Sequence, residues 1–351
     1  MIMAISGSQA ARMKYTNRGL KEKKKKSRSG KKNTPAVRYL RYELTNSPNG
    51  GTETSHFIDL ARDLSAINRR LMRQGRAYHV KRISIVSSNT IAAHNVADLT
   101  SFPGVTDFTQ NAGRVTVAVA PDSWTVRNAW KRGFKVWNMH REEASRAAGN
   151  TLKSKFDDFK VYLSNDHRVA TMLTPKDNGG NNLQFGEWNY ADVFTSDGTT
   201  SADAFQLHLL GGHVGSTGSL TSVGLVKSYG ESRTTVDTDQ PNVPSTASTD
   251  PLVNTFDHGT VIDEVVGQMI AENDNPPYDV TNYPGSDGNM AKPIVVQQTT
   301  LGADGRASVG GFTAICGLLE LETTSPKAND VYSVLVELAP GSYRGIAADV
   351  I

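Results

Sequence analysis

The side chains with the clearest chemical purpose lie close to the amino terminus, where residues 19–32 read GLKEKKKKSRSGKK. Lysine and arginine neutralise phosphate through charge density, so an unstructured arm can contact many phosphates without a fixed fold. The sequence therefore predicts a nucleic-acid-binding arm. Its predicted contacts are the cations Lys14, Arg18, Lys21, Lys23, Lys24, Lys25, Lys26, Arg28, Lys31, Lys32, Arg38 and Arg41.

The composition of this arm also predicts how it binds. Lysine outnumbers arginine in the run, and the nearby aromatic residues are Tyr15, Tyr39 and Tyr42. Base stacking is therefore a minor contribution, and we expect sequence-independent binding whose affinity falls steeply with salt. A nuclear import signal or a solvated tail is compatible with the same residues, but nucleic acid is the partner that this concentration of charge favours.

The charge of the chain is divided unevenly. Residues 1–82 hold 20 basic and 5 acidic side chains, whereas residues 83–351 hold 18 basic and 30 acidic side chains. A basic amino-terminal part joined to an acidic body indicates that the first part meets a polyanion and that the body does not.

Metal and disulfide chemistry has no matching pattern in the sequence. The histidines are His56, His79, His94, His140, His167, His208, His213 and His258. None belongs to HExxH or another metal-ligand spacing, and the single cysteine, Cys316, can form neither a zinc site nor an intramolecular disulfide. In HLLGGH, at 208–213, polar side chains at a strand end are favoured over a metal pair.

Enzyme motifs are not found either. The glycine-rich stretch GGHVGSTGS at 211–219 lacks the GK[ST] of a phosphate loop and the GxSxG of a nucleophile elbow. Glu272, Asp274 and Asp279 offer oxygen ligands, but their spacing is not that of an EF-hand loop. Calcium is therefore not favoured within one chain, although carboxylates at a subunit contact could share an ion. We predict neither an enzyme nor a cofactor.

The sequence gives no sign of a membrane protein. No apolar run approaches the roughly 20 residues of a membrane span. The opening MIMAISGSQAA precedes its basic residues, which is the reverse of the order in a signal peptide. We expect a soluble protein made in the cytosol.

Hydrophobic periodicity divides the chain into an arm and a body. Residues 1–41 are predicted to be a disordered arm, because like charges repel and the apolar residues show no period. Residues 42–351 are predicted to be the folded body. It contains a helix at about 55–74, where Leu60, Leu64, Ile67 and Leu71 form one stripe and Gly75 follows as a stop.

A second helix is predicted at about 123–148, capped by Asp122 or Ser123. Its residues Trp130, Phe134 and Trp137 share a face, and packing against a sheet is favoured over base stacking. Alternating, β-branched segments predict strands at 78–87, 113–121, 156–164, 185–194, 204–210, 222–229, 294–301, 311–323 and 331–338. A short helix at 261–270 and a long loop at 234–254 complete a mainly β chain that we interpret as a β-sandwich.

The layout resembles the capsid proteins of small icosahedral viruses. The similarity is greatest to environmental circular single-stranded DNA viruses that encode a replication initiator, and small RNA viruses have similar shells. The resemblance is carried by KEKKKKSRSGKK, by IDLARDLSAINRRLMRQGRAYHV and by RVTVAVAPDSWTVRNAWKRGFKVW. Within it, Lys21, Lys23 to Lys26, Arg28, Lys31 and Lys32 match the basic arm of the family.

The resemblance implies a single jelly roll of two four-stranded antiparallel sheets with inserted helices. It also implies self-assembly into an icosahedral shell and packaging of the genome by the arm. Single-stranded DNA is the implied genome, with RNA as the alternative. The implied locations are the virion and, during assembly, the host nucleus or cytoplasm. It implies no active site and names no host receptor.

Two other classes of protein fit parts of the sequence. A cellular nucleic-acid-binding protein with a β-rich body would need an ordered basic face, which the acidic composition after residue 82 does not favour. A glycan-binding β-sandwich would hold sugar in its loops, and its basic tail would be incidental. Such a lectin should stay a small oligomer and bind a sugar column.

Overall fold

The computed structural model describes residues 35–87, 113–149, 157–195, 203–216, 219–232, 292–302 and 304–351. Several predicted features lie outside these ranges: the arm cations from Lys14 to Lys32, the loop at 234–254, the helix at 261–270 and the acidic cluster at 272–279.

Strands make up most of the regular structure, and the chain is mainly β as predicted. The strands are β1 (Tyr39–Thr45), β2 (Glu53–Asp59), β3 (Arg76–Ser87), β4 (Arg114–Val119), β5 (Asp192–Thr195), β6 (Asp203–His208), β7 (Val214–Ser216), β8 (Ser219–Gly224), β9 (Ile294–Thr300), β10 (Arg306–Val309), β11 (Phe312–Ile315), β12 (Leu318–Thr324), β13 (Val331–Leu338), β14 (Pro340–Gly341), β15 (Gly345–Ile346) and β16 (Ala348–Val350). The helices are α1 (Leu60–Asn68), α2 (Trp124–Ala147), α3 (Asn165–Val169) and α4 (Leu225–Glu231). No helix in the described ranges is long and apolar enough to cross a bilayer.

Two antiparallel sheets form the body. Sheet A has the order β1-β13-β3-β10, and sheet B has the order β2-β12-β4-β9. Among the described residues, sheet B has the four strands that were expected of each sheet, whereas sheet A has six. The extra strands arise because β3 spans 12 residues, long enough for β10 and β11 to follow one another along one edge and for β13 and β16 to do so along the other.

Alternating side chains join the two sheets. In β1, Leu40, Tyr42 and Leu44 are buried while Tyr39 and Arg41 are exposed, which is the two-residue period of a strand with one solvated face. Buried side chains from both sheets, among them Leu40, Ile83, Val117 and Leu319, belong to one hydrophobic cluster. This packing of two antiparallel sheets is consistent with the predicted β-sandwich.

Residues 120–293 separate β4 from β9, and the described part of this insertion has its own core. It holds α2, α3, α4 and a small sheet of order β5-β6-β8-β7, in which β6 and β8 are parallel. The rings of Trp130 and Phe134 stack at 5.4 Å, and both meet Phe159 edge-on. The predicted packing role of Trp130 and Phe134 is confirmed, but their aromatic partner lies in an irregular segment and not in a strand.

The predicted helix at 123–148 is confirmed, whereas the one at 55–74 is largely wrong. Ser123 accepts a hydrogen bond from the Val126 amide and starts α2 at Trp124. Residues 55–59 belong instead to β2, because the whole segment Glu53–Asp59 pairs with β12. Helix α1 then ends at Asn68, where Arg69 takes the left-handed cap conformation that was predicted further along the chain at Gly75.

The predicted arm boundary at residue 41 is also wrong. Strand β1 begins at Tyr39 and pairs with β13 along its whole length, so Arg41 lies in a strand and Arg38 directly precedes it. The sequence pattern misplaced the boundary because the basic residues continue into the strand on its exposed face.

Most of the predicted strands are confirmed at 78–87, 113–121, 204–210, 294–301 and 331–338, where β3, β4, β6, β9 and β13 lie. The others are wrong in part or throughout, for local reasons, and the predicted strand at 185–194 matches β5 only over its last three residues. Residues 157–164 and 185–191 contain no strand, and they are joined to one another by a bond from the Ala191 amide to the Lys160 carbonyl. The predicted strand at 222–229 becomes helix α4 after Gly224. The predicted strand at 311–323 is split by Cys316 and Gly317, whose φ angles are 59° and 70°.

Gly75 is required by packing and not by a helix end. A Cβ atom at this position would lie 2.6 Å from the Trp130 ring, which Phe134 and Phe159 hold in place. We expect Gly75→Ala to lower the free energy of unfolding by about 1–3 kcal/mol, the usual cost of overpacking. Gly186→Ala is the control, because no atom lies within 4 Å of a Cβ there. Equal urea midpoints for the two variants would contradict this packing argument.

Burial of Glu320 makes the stability of the body depend on pH. Its neighbours Leu319 and Leu321 face the shared core, so Glu320 lies on the opposite face of sheet B, where it is 7% exposed. Burial, with smaller contributions from Glu322 and Asp166, raises the pKa of Glu320 to about 7 from its ordinary value of 4.5. The folded protein favours the protonated form of Glu320. The stability that this residue contributes to the folded protein is therefore complete below about pH 4.5 and is lost as the pH rises through about 7.

Glu320→Gln tests this pH dependence, because glutamine stays neutral throughout. We expect the stability of the variant relative to the wild type to rise by on the order of 3 kcal/mol between pH 4.5 and pH 8. Urea denaturation at several pH values measures the difference. Parallel stability curves for the two proteins would show that Glu320 ionises as it does in water.

Candidate nucleic-acid interface

Two of the predicted nucleic-acid contacts lie in the described part of the chain. Arg41 is exposed on β1, and its Nη2 lies 2.7 Å from Oε1 of Glu43. Arg38 is partly exposed, and its carbonyl accepts a bond from the Leu338 amide. The structure places Arg38 directly before β1 and Arg41 as the third residue of β1. The arm cations from Lys14 to Lys32 lie outside the described residues.

The segment that joins the arm to β1 is held against the end of α1. Asn68 makes two bonds to Val37, from its Nδ2 to the carbonyl and from the Val37 amide to its Oδ1, at 3.0 Å and 2.8 Å. Arg70 also reaches the Pro35 carbonyl at 3.5 Å. The carboxyl-terminal end of α1 therefore holds in place the backbone of residues 35–37, which leads into β1.

The same end of α1 borders a basic cavity of about 230 Å³. Arg69 and Arg70 are exposed at its rim, and Ser65 fixes the turn that follows by accepting a bond from the Met72 amide at 2.7 Å. We call this space the basic cavity. Its charged and aromatic lining residues are Arg62, Arg69, Arg70, Lys160, Phe185, Glu187 and Trp188.

The aromatic residues of the basic cavity already hold cations. The guanidinium carbon of Arg62 lies 4.6 Å from the centre of the Phe185 ring, and Nζ of Lys160 lies 4.8 Å from the centre of the Trp188 ring. Such cation–π contacts orient the positive groups but do not neutralise them, so these groups can still attract an anion. Arg62 is the counterion of the buried Asp63, but Arg69, Arg70 and Lys160 still outnumber the single carboxylate, Glu187, so the cavity favours an anion.

A network of buried charged residues holds Arg62 and Trp188 of the basic cavity in place. Arg62 donates to Asp63 at 2.8 Å and to the Leu173 carbonyl. Asp59 caps α1 by accepting from the Arg62 amide, and it also accepts from Gln74, Trp188 and Tyr190. The bond from Trp188 ties the wall of the basic cavity to the helix.

Asp63 makes this network sensitive to the loss of its cation. Its Oδ2 accepts from the Tyr42 hydroxyl at 2.5 Å. Burial raises the pKa of Asp63 to about 7, although the charge of Arg62 opposes that rise. Burial and the neighbouring Asp63 carboxylate also raise the pKa of Tyr42. The guanidinium of Arg62 is therefore what makes a carboxylate tolerable at this depth.

A second cavity of about 920 Å³ adjoins the first, because Lys160 and Glu187 line both. Carboxylates outnumber cations here, so we call it the acidic cavity. Its charged lining residues are Arg141, Asp157, Asp158, Lys160, Glu187 and Asp192. Trp137, Tyr190 and Phe194 add aromatic walls.

The two adjacent aspartates of the acidic cavity differ in their partners. Both oxygens of Asp157 accept from Arg141. Asp158 accepts from Arg73 at 3.2 Å through Oδ1, while its Oδ2 is buried and meets no donor in the described part of the chain. Burial raises the pKa of Asp158. Nδ1 of His140, another lining residue, is likewise buried without a partner among the described residues.

The histidines at 208 and 213 are engaged within the protein. His208 contacts the Ser222 hydroxyl at 2.6 Å and the Gly212 carbonyl at 2.9 Å through its two ring nitrogens. His213 contacts Glu231 at 3.1 Å. Across the described ranges, no group of three or more His, Cys, Asp or Glu residues is placed to hold a metal ion.

The sequence shows Arg69 and Arg70 side by side, but no sequence pattern predicted the two cavities or their other walls. Lys160 and Asp158 were read as parts of a strand, and Trp188 as part of another. Only the FDDFK segment carried a signal, since a lysine and two carboxylates among aromatic residues are unusual in an alternating strand. The cavities themselves are formed by segments far apart in the chain.

Comparisons of the chain with protein-family models, with curated proteins and with solved structures give no match.

Proposed function

We propose that the protein is a viral capsid protein that assembles into an icosahedral shell and packages the genome through its basic amino-terminal arm. The observation that carries the proposal is the position of the arm. Its last lysine, Lys32, lies seven residues before the first strand of a β-sandwich. Strands that follow one another along the chain of this sandwich mostly alternate between its two sheets.

The strand order supports a jelly roll. The eight principal strands in chain order are β1, β2, β3, β4, β9, β10, β12 and β13. Sheet A takes the first, eighth, third and sixth of these, and sheet B the second, seventh, fourth and fifth. An alternation of this kind is what two interleaved Greek keys produce, and viral shells are among the proteins built this way. Strands β11 and β16 then extend sheet A.

Exposed apolar strands support self-assembly. Strand β9 is at the edge of sheet B, and its residues Val295 and Val296 are 57% and 39% exposed. Exposed apolar edge strands are surfaces on which further chains can pair. The protein itself is thus one partner, and the genome, which we propose to be single-stranded DNA with RNA as the alternative, is the other.

The charge distribution supports packaging over other nucleic-acid functions. The first described residue, Pro35, contacts Arg70 through its carbonyl, so the arm begins beside a basic part of the body, whereas residues 83–351 carry a net negative charge. A shell subunit needs positive charge only where it meets the genome. We assign the protein no catalytic activity, and we place it in the virion and, during assembly, in the host nucleus or cytoplasm.

Negative-stain microscopy of the expressed protein, with the ratio of absorbance at 260 and 280 nm on the same fraction, tests the proposal. We expect closed shells that carry nucleic acid. Small oligomers that bind nucleic acid at low salt would instead indicate a cellular binding protein. Small oligomers that bind a sugar column but not nucleic acid would indicate a lectin.

A further inference from the structure

The joined cavities contain the two kinds of group that a nucleotide requires. Besides Arg62, which pairs with Asp63, the basic cavity has three cations against one carboxylate, so it suits a phosphate. The acidic cavity has aromatic walls and a carboxylate oxygen that lacks a donor among the described residues, so it suits a base with N–H groups. Lys160 and Glu187 line both cavities, so one ligand can extend across the boundary.

Arg69 is the first sign that the basic cavity has a ligand. Its φ angle is 51°, in the left-handed region that glycine adopts at lower cost. The turn after α1 therefore does not itself require arginine. The side chain at this position is exposed at the rim of the cavity, beside Arg70 and close to the point where the arm leaves the body.

Asp158 is the second, independent sign. Its side chain is only 6% exposed, yet Oδ2 meets no donor within the described ranges. Buried polar atoms are nearly always hydrogen-bonded, so an acceptor of this kind calls for a donor that the described residues do not supply. Its neighbour Asp157 provides a contrast in the same cavity, because Arg141 satisfies both of its oxygens.

We propose that the joined cavities bind one nucleotide of the packaged strand, with its phosphate beside Arg69 and Arg70 and its base in the acidic cavity. Oδ2 of Asp158 accepts a hydrogen bond from an exocyclic amino group of the base. This inference rests on the proposed packaging function. It adds a base-selective contact on the body to the sequence-independent contacts of the arm.

The amino group is the feature that Asp158 selects. An amino group presents two N–H donors, and carboxylates accept from the N4 amino group of cytosine in known base contacts. Uracil offers only a ring N–H between two carbonyl oxygens, which repel a carboxylate. Cytosine should therefore bind more tightly than uracil, although the two rings are almost the same size.

Binding of dCMP and dUMP to the full-length protein, freed of nucleic acid, tests the inference by calorimetry. Contacts of the arm with phosphate carry no base information, so they cancel in the ratio of the two affinities. We expect the wild type to bind dCMP roughly tenfold more tightly than dUMP, as a charge-assisted hydrogen bond predicts. Asp158→Asn should bring the ratio close to one, while Asp166→Asn, which removes an exposed carboxylate that lines neither cavity, should leave it unchanged.

Arg69→Gly tests the phosphate end of the site. This variant should bind both nucleotides more weakly by the same factor, so the ratio of the dCMP and dUMP affinities should stay the same. Thermal denaturation should show that the variant is folded.

Equal binding of dCMP and dUMP by the wild type would overturn the nucleotide site. If shells with nucleic acid still form, the packaging function stands without it. Selective binding of dCMP by a protein that carries no nucleic acid would instead indicate a free-nucleotide site and overturn the assignment to a packaged strand.

Discussion

Deletion of residues 1–34 is expected to leave a folded body that no longer packages nucleic acid, whereas deletion of residues 1–41 is expected to disrupt the fold. The shorter deletion removes 11 lysine and arginine residues and ends before the first described residue, Pro35. The longer one also removes Tyr39, Leu40 and Arg41, which pair with β13. Seven residues therefore separate a loss of function from a loss of structure.

The cost of the longer deletion follows from the burial of β1. Leu40 is fully buried, and the loss of such a side chain alone costs about 2–5 kcal/mol. The deletion also removes the Val37 contacts to Asn68 and the hydrogen bonds of Tyr39 and Arg41 in sheet A. A body with the usual stability of about 5–15 kcal/mol would be left close to unfolding.

Thermal denaturation and the absorbance ratio at 260 and 280 nm measure the two effects. The shorter deletion should melt near the wild-type temperature and give a protein-like ratio. Binding to single-stranded DNA should also lose most of its dependence on salt, because each released phosphate contact lowers the logarithmic slope by about 0.7. Packaging by the shorter deletion would show that the body, and not the arm, carries the genome.

Replacement of Arg62 is expected to destabilise the body more than any exposed substitution. Arg62→Met keeps the length and the apolar stem of the side chain. It leaves Asp63 in the core, where the Tyr42 hydroxyl is the remaining side-chain donor among the described residues. A buried carboxylate that loses its cation typically costs about 3–5 kcal/mol. Chemical denaturation of the purified variant measures the loss.

Arg70→Met is the matched control, because Arg70 is exposed nearby and should change stability by no more than about 0.5 kcal/mol. Asp63→Asn should restore part of the stability when it is combined with Arg62→Met, since the unpaired charge is then removed. The double-variant cycle gives the coupling between the two residues. A cost below about 1 kcal/mol for Arg62→Met would contradict its role as the counterion of Asp63.

The sequence predicted those elements whose side chains repeat with one clear period and whose ends carry a local signal. Ser123 identified the start of α2, and the β-branched alternation of β3, β4 and β13 identified strands. Segments that could form either a helix or a strand were harder to assign from the sequence. The stretch 55–74 shows a helical stripe at Leu60 and Leu64, but β12 supplies a partner for its first five residues, and pairing outweighs the local pattern.

The candidate site could be predicted only in part, for a related reason. Arg69 and Arg70 can be recognised in the sequence as part of one short basic segment. Lys160, Trp188 and Asp158 become neighbours only when the insertion folds against α1, and no spacing rule links residues 62, 160 and 188. A cation surrounded by aromatic residues near paired carboxylates is the closest thing to a local signal for such a cavity.

The pairing of β1 with β13 has a consequence for the order of events on the ribosome. Tyr39 and Glu337, which meet across these strands, are 298 positions apart. At ordinary rates of synthesis, the nascent chain waits roughly 15 to 60 seconds between making one strand and making its partner. Because the proposed nucleic-acid-binding arm needs no fold, we expect it to bind nucleic acid throughout that interval. A prematurely terminated chain without β13 would therefore keep a working arm yet lack an interior strand of sheet A, and it would compete for nucleic acid without completing the body.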